Sequence, residues 1–264
     1  MKLLLLSDIH LEVIADADGL QIPETSADII LFLGDIASGE QGLIWAIEQC
    51  ERLGIKGLYI PGNHEYYGCD IKSLDNSLRA VAKGSAVTFL NCDEYIHNDF
   101  RFLGCTLWSD FEAYGAQQSN LAIVKSRIKD YRKIEYLSAD NGAKRRFFLP
   151  EDALAMHQEH RGWLEEKLAE PFNGKTILLS HHGISKQCQH PQFPIDELAG
   201  SYWSDLEYLF KDHIELACFG HTHANLDLRS GAGFRLVSNQ MGYRRRLSDL
   251  PECPDFSFQK IIEI

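Results

Sequence analysis

Short apolar runs alternate with longer amphipathic stretches along the chain. The apolar runs, four or five residues each, predict buried strands at 2–6, 29–33, 57–60, 102–106, 176–179, 216–219 and 234–238. Apolar residues at helical spacing predict one helix over about 42–53 and another over 150–168. The second helix begins at Pro150, and proline fits the first turn of a helix. This alternation predicts an α/β fold.

Residues that commonly bind metals follow five of these runs directly. They are Asp8 and His10 after the first run, Gly34-Asp35 after the second, Gly62-Asn63-His64-Glu65 after the third, His181-His182 after 176–179, and Gly220-His221-Thr222-His223 after 216–219. Ligands of α/β sheets bind beyond the carboxyl ends of the strands, so we expect all five groups to converge at one edge.

Two local features favour a stiff site at that edge. Gly34, Gly62 and Gly220 each precede a candidate ligand, where glycine allows the chain to turn sharply with positive φ. An extended segment from Asp8 to His10 would direct both of these side chains to the same side. We therefore expect short loops that hold the ligands in place.

The candidate ligands comprise two carboxylates, one amide and four imidazoles: Asp8, Asp35, Asn63, His10, His181, His221 and His223. One tetrahedral ion takes four ligands, so this set suits two ions that share a carboxylate. Two ions about 3.5 to 4 Å apart form the clamp used for in-line displacement at phosphorus. Nitrogen and oxygen donors without thiolate favour Mn, Fe, Zn or Co over Ca or Mg.

In order and spacing, the five blocks resemble the pattern of the calcineurin-like metallophosphoesterases: D-x-H, G-D, G-N-H-[D/E], His and G-H-x-H. The match spans residues 8–223. The resemblance implies a fold of four layers, with two β-sheets packed face to face and helices outside. It also implies two divalent metal ions, for which we take manganese as the working expectation and iron, zinc or cobalt as alternatives.

The resemblance further implies a role for each ligand. One metal would be held by Asp8, His10, Asp35 and His223, and the other by Asp35, Asn63, His181 and His221, with Asp35 bridging. His64 would act as the general acid or contact the phosphate, and a metal-bridging hydroxide would be the nucleophile.

Three further segments resemble a branch of small cytosolic bacterial members of that family: 104–111, Trp163-Leu164 and 239–243. That branch often has Pro-Arg between the asparagine and the Gly-Tyr pair. This chain has Gln240-Met241 there, so we do not expect the substrate-binding role of that arginine to carry over.

Composition is that of an acidic globular protein. Apolar residues make up 45% of the 264 residues, and the net charge is −12. No apolar run approaches the ~20 residues of a membrane span, and the N-terminal run is too short for a signal peptide. Seven scattered cysteines without a C-x-x-C pair indicate reduced thiols. We expect a cytoplasmic protein with a single domain over 1–264.

One segment, 125–146, is basic, with eight Lys or Arg against three Asp or Glu. It lies within 108–162, which resembles an insertion that sets substrate choice. Two interpretations remain open: a solvated helix with a charged loop, or a wall that attracts a phosphorylated substrate.

Other residues near the motifs have open roles. Glu65 is expected to fix the tautomer of an imidazole rather than bind metal. His182 and His190 either contact substrate or pack, and Tyr66, Tyr67, Trp108 and Phe111 either stack on a substrate or pack. His97, His157, His160 and His213 are expected at the surface or in the core.

We therefore expect a phosphoesterase acting on a small phosphodiester or phosphomonoester. A nuclease is an alternative, although a net charge of −12 does not suit nucleic acid. A non-catalytic protein-binding scaffold is another, although no ligand position is eroded. The sequence does not choose between monoester and diester and does not indicate an oligomeric state.

Overall fold

The computed structural model describes residues 1–138, 144–210 and 212–264. Part of the basic segment, 139–143, lies outside these residues. The strands are β1 (Lys2–Leu6), β2 (Ile29–Leu33), β3 (Lys56–Ile60), β4 (Val87–Phe89), β5 (Asp93–His97), β6 (Phe100–Cys105), β7 (Glu135–Ser138), β8 (Lys144–Phe147), β9 (Lys175–Ser180), β10 (Leu216–Phe219), β11 (Asp227–Arg229), β12 (Arg235–Ser238) and β13 (Ile261–Glu263). The helices are α1 (Gln41–Leu53), α2 (Ile71–Ala82), α3 (Gln117–Arg127), α4 (Asp130–Lys133), α5 (Pro150–Ala169) and α6 (Glu207–Phe210). All seven predicted strands and both predicted helices are present.

Two sheets form the centre of the structure. The first has the order β13-β1-β2-β3-β4, in which β1 to β4 are parallel and β13 is antiparallel. The second has the order β11-β12-β10-β9-β6-β5, with four parallel strands in the middle and antiparallel strands at both edges. A separate hairpin, β7-β8, lies in the segment between β6 and α5.

Successive side chains of the central strands alternate between the apolar layer that lies between the two sheets and the cores that lie on their outer faces. Leu5 of β1 and Leu179 of β9 belong to the apolar layer between the sheets. Leu4, the neighbour of Leu5, instead faces the core that includes residues of α1 and α2. On the far side, Leu178 packs with Leu164 of α5. Strands buried on both faces read as continuous apolar runs, which is why the sequence predicted them. The predicted fold of four layers is confirmed.

The prediction missed α2, although its signals were in the sequence. Asp70 precedes this helix, and its carboxylate accepts a hydrogen bond from the Ser73 amide at 2.9 Å, which is an N-cap. Ile71, Leu74 and Leu78 form its buried face at helical spacing. The helix lies between β3 and β4 and covers the outer face of the first sheet.

The carboxyl ends of strands from both sheets meet at one rim. The loops after β1, β2 and β3 approach the loops after β9 and β10 there. Backbone hydrogen bonds join the loops, from the His10 amide to the Asp35 carbonyl at 3.0 Å and from the Gly220 amide to the His181 carbonyl at 2.9 Å. His181 also joins the two sheets, because its Nδ1 donates to the Leu33 carbonyl at 2.7 Å.

Candidate metal centre

The structure brings all seven predicted ligands together at this rim. Ligand atoms within 4.8 Å of one another form one group of Asp8, His10 and His223, a second of Asp35, His181 and His221, and a third of His10, Asp35 and His64. Asn63 joins the second group, since its Oδ1 lies 3.1 Å from His181 Nε2. Asp35 therefore stands between two clusters of donors.

The backbone of the ligand loops differs from the expectation. Asp8 and His10 both have φ of 53°, so the segment 8–10 is not extended, and that prediction is wrong. Asp35, His221 and His223 are left-handed as well, with φ of 53°, 70° and 50°. Such conformations are costly for these residue types and persist where the surrounding structure determines them. The ligand residues themselves, rather than glycine alone, make the sharp turns.

The three glycines serve two different purposes. Gly34 has φ of +81°, as expected. Gly62 and Gly220 are not left-handed, so for them that expectation is wrong. A Cβ on Gly62 would lie 2.2 Å from Asp35 Oδ1, and one on Gly220 would lie 2.1 Å from the oxygen of Ser7. These two positions need glycine because neighbouring ligand loops approach too closely for a side chain.

In the first cluster, two imidazole lone pairs face each other. His10 Nδ1 donates to Glu12 Oε1 at 3.1 Å, and His223 Nδ1 donates to Glu252 Oε2 at 2.7 Å. In the neutral rings, these hydrogen bonds leave both Nε2 atoms as acceptors. The two Nε2 atoms lie 3.2 Å apart, and two acceptors cannot bond to each other. A cation must therefore lie between the two nitrogens, either a proton on one ring or a metal ion that replaces it.

The second cluster repeats this arrangement. Because His181 Nδ1 donates to Leu33, its Nε2 is an acceptor in the neutral ring. The Asn63 amide nitrogen donates to Asp130 Oδ1 at 2.9 Å, which turns Asn63 Oδ1 toward His181 Nε2. Asp35 Oδ1 lies 3.4 Å from the same nitrogen. His221 Nε2 donates to the Ser201 carbonyl at 3.2 Å, which leaves its Nδ1 free to bind metal.

The electrostatics of the two clusters favour bound cations. Burial lowers the pKa of His181, but the Asp35 carboxylate outweighs burial and raises that pKa to about 9. Burial likewise opposes the charge on His223, yet hydrogen bonds to Asp8 and Glu252 raise its pKa to about 10. Burial and the nearby His181 lower the pKa of His221 to about 3. Without metal, protons therefore occupy part of the donor set, and metal binding would displace them.

Glu65 has a different role from the one expected. It is fully buried, and its carboxylate accepts hydrogen bonds from the amides of Asp35, Ile36 and Gly62 at 2.7 to 2.9 Å. The Tyr59 hydroxyl donates to it as well, at 2.7 Å. Glu65 thus joins the loop after β2 to the loop after β3 through their backbones. The prediction that it fixes an imidazole is wrong.

His64 lies at the edge of both clusters. Its Nδ1 donates to Glu12 Oε1 at 2.9 Å, the same oxygen that accepts from His10. Burial lowers the pKa of His64, but the charges of Asp35 and Glu12 and the hydrogen bond to Glu12 produce a net rise. Its Nε2 lies 4.0 Å from Asp35 Oδ2 and 3.3 Å from the Tyr243 hydroxyl.

Sequence reasoning missed the carboxylates that orient the ligands. Glu12 holds His10 and His64, Glu252 holds His223, and Asp130 holds Asn63. Such partners fix the orientation of a metal ligand and its tautomer. Only Glu12 offered a sequence signal, since it lies two residues beyond His10.

Most of the residues with open roles are packing residues. His182 is 2% exposed, its Nδ1 donates to the Thr106 carbonyl, and its ring packs 4.1 Å from the His221 ring. Tyr66, Trp108 and Phe111 are buried in the core beside α2. His157 and His160, expected at the surface or in the core, are buried.

Comparison with known proteins agrees with this geometry. The sequence profile of the calcineurin-like phosphoesterases matches residues 1–225. The chain belongs to this family. Uncharacterized protein L509 of Acanthamoeba polyphaga mimivirus is 24% identical over 260 residues, which cover 90% of this chain and 89% of that protein.

Two solved structures share the fold of this phosphoesterase. Phosphopantetheinyl hydrolase from Mycobacterium tuberculosis has a TM-score of 0.69 at 16% identity, covering 92% of this chain and 89% of that one. A dimetal phosphatase from Danio rerio has a TM-score of 0.53 at 16% identity, covering 91% and 87%. None of the described helices combines the length and apolarity needed to cross a bilayer.

A cavity of about 440 Å³ opens beside the candidate metal centre of this phosphoesterase. Asp35, Asn63, His64, His221 and His223 lie at its base. Its walls include Tyr67, Tyr243, His190 and residues of the segments 127–130 and 193–202. His190 and Tyr67 therefore line the site, whereas His182 does not. Of the basic residues of segment 125–146 that the structure describes, only Arg127 and Lys129 line the cavity.

Proposed function

We propose that this family member hydrolyses a small phosphomonoester or phosphodiester with two divalent metal ions. The observation that carries the proposal is the pair of donor clusters on either side of Asp35, in each of which nitrogen or oxygen donor atoms lie 3.1 to 3.2 Å apart, close enough to share a cation. The seven candidate ligands would hold the ions, with Asp35 shared between them. When bound, the ions would polarise the phosphate and supply an ionised water at neutral pH.

His64 is suited to give a proton to the leaving alcohol. Glu12 fixes the ring from one side, so that Nε2 is directed toward the cavity. The raised pKa of His64 favours the protonated ring that a general acid requires. The Tyr243 hydroxyl, 3.3 Å from Nε2, can accept a hydrogen bond from that proton until substrate binds.

Several finer assignments belong to the proposal. Nitrogen and oxygen donors without thiolate support Mn, Fe, Zn or Co, and manganese is the ion to test first. The cavity volume of about 440 Å³ and the net charge of −12 favour a small substrate over nucleic acid. The cytoplasmic location, the single domain over 1–264 and the substrate-selecting role of 108–162 stay predictions.

The test is turnover of bis(p-nitrophenyl) phosphate and p-nitrophenyl phosphate with Mn²⁺, combined with metal analysis. We expect about two equivalents of metal, loss of activity with EDTA, and loss of activity in Asp35→Asn. Asp99→Asn is the matched control, since Asp99 is exposed in the turn between β5 and β6. Undiminished turnover in Asp35→Asn would refute the shared carboxylate. Less than one equivalent of metal after reconstitution would favour the non-catalytic scaffold.

A further inference from the structure

We propose that the cavity selects a phosphate ester whose alcohol part carries a planar apolar group and a second anionic group. This inference rests on the proposed function, because it places the scissile phosphate at the metal centre. Two opposing surfaces of the cavity carry it. The basic wall consists of Arg127 and Lys129, and the aromatic lip consists of Phe193 and Tyr202.

The basic wall is fixed beside the metal centre. Arg127 ends α3, and Lys129 is followed directly by Asp130. The Asp130 carboxylate is buried and accepts hydrogen bonds from Asn63 at 2.9 Å and from the Tyr67 hydroxyl at 2.8 Å. This junction attaches the basic wall to the loop after β3, which carries a candidate ligand.

The acidic and the basic side chains of the cavity differ in whether they have partners. The four acidic ones all accept hydrogen bonds: Asp35 from the His64 amide at 2.8 Å, Glu252 from His223, Asp130 from Asn63, and Asp196 from the Leu198 amide at 2.9 Å. Arg127 and Lys129 are exposed, and neither forms an ion pair or side-chain hydrogen bond with the residues that the structure describes. A ligand with an anion beyond the scissile phosphate would pair with them, with Arg127 able to bind it through two parallel hydrogen bonds.

The aromatic lip is held on a braced loop. Gln189 Nε2 donates to the carbonyls of His190, Phe193 and Pro194 at 3.1 to 3.4 Å, and its Oε1 accepts from Trp203 Nε1 at 2.7 Å. The Phe193 side chain nevertheless remains 64% exposed. Phe193 therefore presents an open ring face at the cavity mouth, on which a planar group of a ligand can stack.

Tyr202 extends this lip into the cavity. Its ring is half-buried and lies 5.2 Å from the His221 ring, so the lip reaches from the mouth to the metal centre. A planar group of the alcohol could therefore stack along the lip while its phosphate reaches the base. A volume of about 440 Å³ accommodates a molecule of nucleotide size. Nucleotides with more than one phosphate, and aryl esters with a second acidic group, have this chemistry.

The test uses two phosphonates that cannot be hydrolysed, 2-naphthylmethylphosphonate and its 6-sulfonato derivative. Both fluoresce, so anisotropy reports their binding to the Mn²⁺-loaded protein. In the wild type we expect the sulfonated probe to bind at least ~10-fold more tightly, since its second anion reaches the basic wall. Arg127→Gln combined with Lys129→Gln should reduce that preference to within about twofold. Phe193→Ala should weaken both probes by ~10-fold and leave the preference unchanged.

Matched controls separate these effects from general changes in charge or surface. Lys125→Gln removes a charge from the same turn of α3 without touching the cavity, and Tyr208→Ala removes an aromatic ring that is 66% exposed elsewhere. Both should bind the probes like the wild type. Equal binding of the two probes, an equal loss of preference in Lys125→Gln, or unchanged binding in Phe193→Ala would overturn the inference. Turnover of bis(p-nitrophenyl) phosphate by the wild type tests the proposed function separately.

Discussion

Replacing Glu65 should damage both the stability of the protein and its affinity for metal. The carboxylate is fully buried and is surrounded by donors alone, three backbone amides and the Tyr59 hydroxyl. Hydrogen bonding thus matches its ionised form, whereas burial and the charge of Asp35 raise its pKa to about 7. In Glu65→Gln the new amide group must face at least some of these donors.

The geometry gives the magnitude. Oε1 accepts from Ile36 and Tyr59, and Oε2 accepts from Asp35 and Gly62. If the amide nitrogen takes the Oε1 position, the Tyr59 hydroxyl can rotate and accept, so one backbone amide loses its partner. If it takes the Oε2 position, two amides lose theirs. One buried unsatisfied donor costs about 1 to 3 kcal/mol, so we expect that loss for Glu65→Gln and a larger one for Glu65→Ala.

Urea unfolding of the metal-free protein measures the stability, and calorimetric titration with Mn²⁺ measures the affinity. Because the Glu65 bonds position the Asp35 loop, we expect Glu65→Gln to weaken metal binding by roughly 10- to 100-fold. Tyr59→Phe is the control, since it removes one donor and leaves the three amides satisfied; it should cost about 1 kcal/mol. Wild-type stability together with wild-type metal affinity in Glu65→Gln would show that Glu65 does not hold the two loops.

Three further predictions test other parts of the structure. Asp130→Ala removes the hydrogen bond that orients the Asn63 amide, so calorimetry should show one of the two metal affinities falling by roughly 10-fold or more. If both affinities are unchanged, Asp130 does not position Asn63. Burial, with a contribution from His157, lowers the pKa of His160 to about 3. At pH values between 3 and 6.5, the ring is therefore neutral in the folded protein and protonated in the unfolded chain, where its pKa has the ordinary value of 6.5. The contribution of His160 to the unfolding free energy is therefore complete above pH 6.5 and declines by about 1.4 kcal/mol per pH unit as the pH falls toward 3. The unfolding free energy of metal-free His160→Asn should decline less steeply over this range. If the wild type and the variant lose unfolding free energy at the same rate, the assignment is wrong. Gly220→Ala places a Cβ 2.1 Å from the oxygen of Ser7; we expect a loss of about 1 to 3 kcal/mol in unfolding free energy and weaker metal binding, and a variant with wild-type values for both would refute the close approach.

The sequence predicted the centre of the fold because the central strands are buried on both faces. Each of them is a continuous apolar run, and the candidate ligands follow directly where the runs end. The edge strands β4, β5, β11 and β13 were missed, since β4, β11 and β13 have only three residues each and β5 mixes polar with apolar residues. The structure also gave Glu65 a backbone role that its place in the motif did not suggest.

The parts of the site that sequence reasoning could not supply depend on contacts between distant segments. Asp130 and Glu252 reach their ligands across 67 and 29 positions. No spacing rule connects such pairs. The left-handed conformations of Asp8 and His10 were equally hidden, because neither residue type requires positive φ. The walls of the cavity come from segments whose paths depend on tertiary packing.

The contact between His181 and Leu33 has a consequence for how damage spreads through this molecule. It ties the end of β9 to the end of β2, so each donor cluster draws members from both sheets. Ions bound there would link the two sheets to each other. A substitution that allows one sheet to shift relative to the other, even far from the rim, would pull apart the ligands of both clusters at once. We therefore expect such a substitution to weaken both ion sites, rather than to leave one site intact.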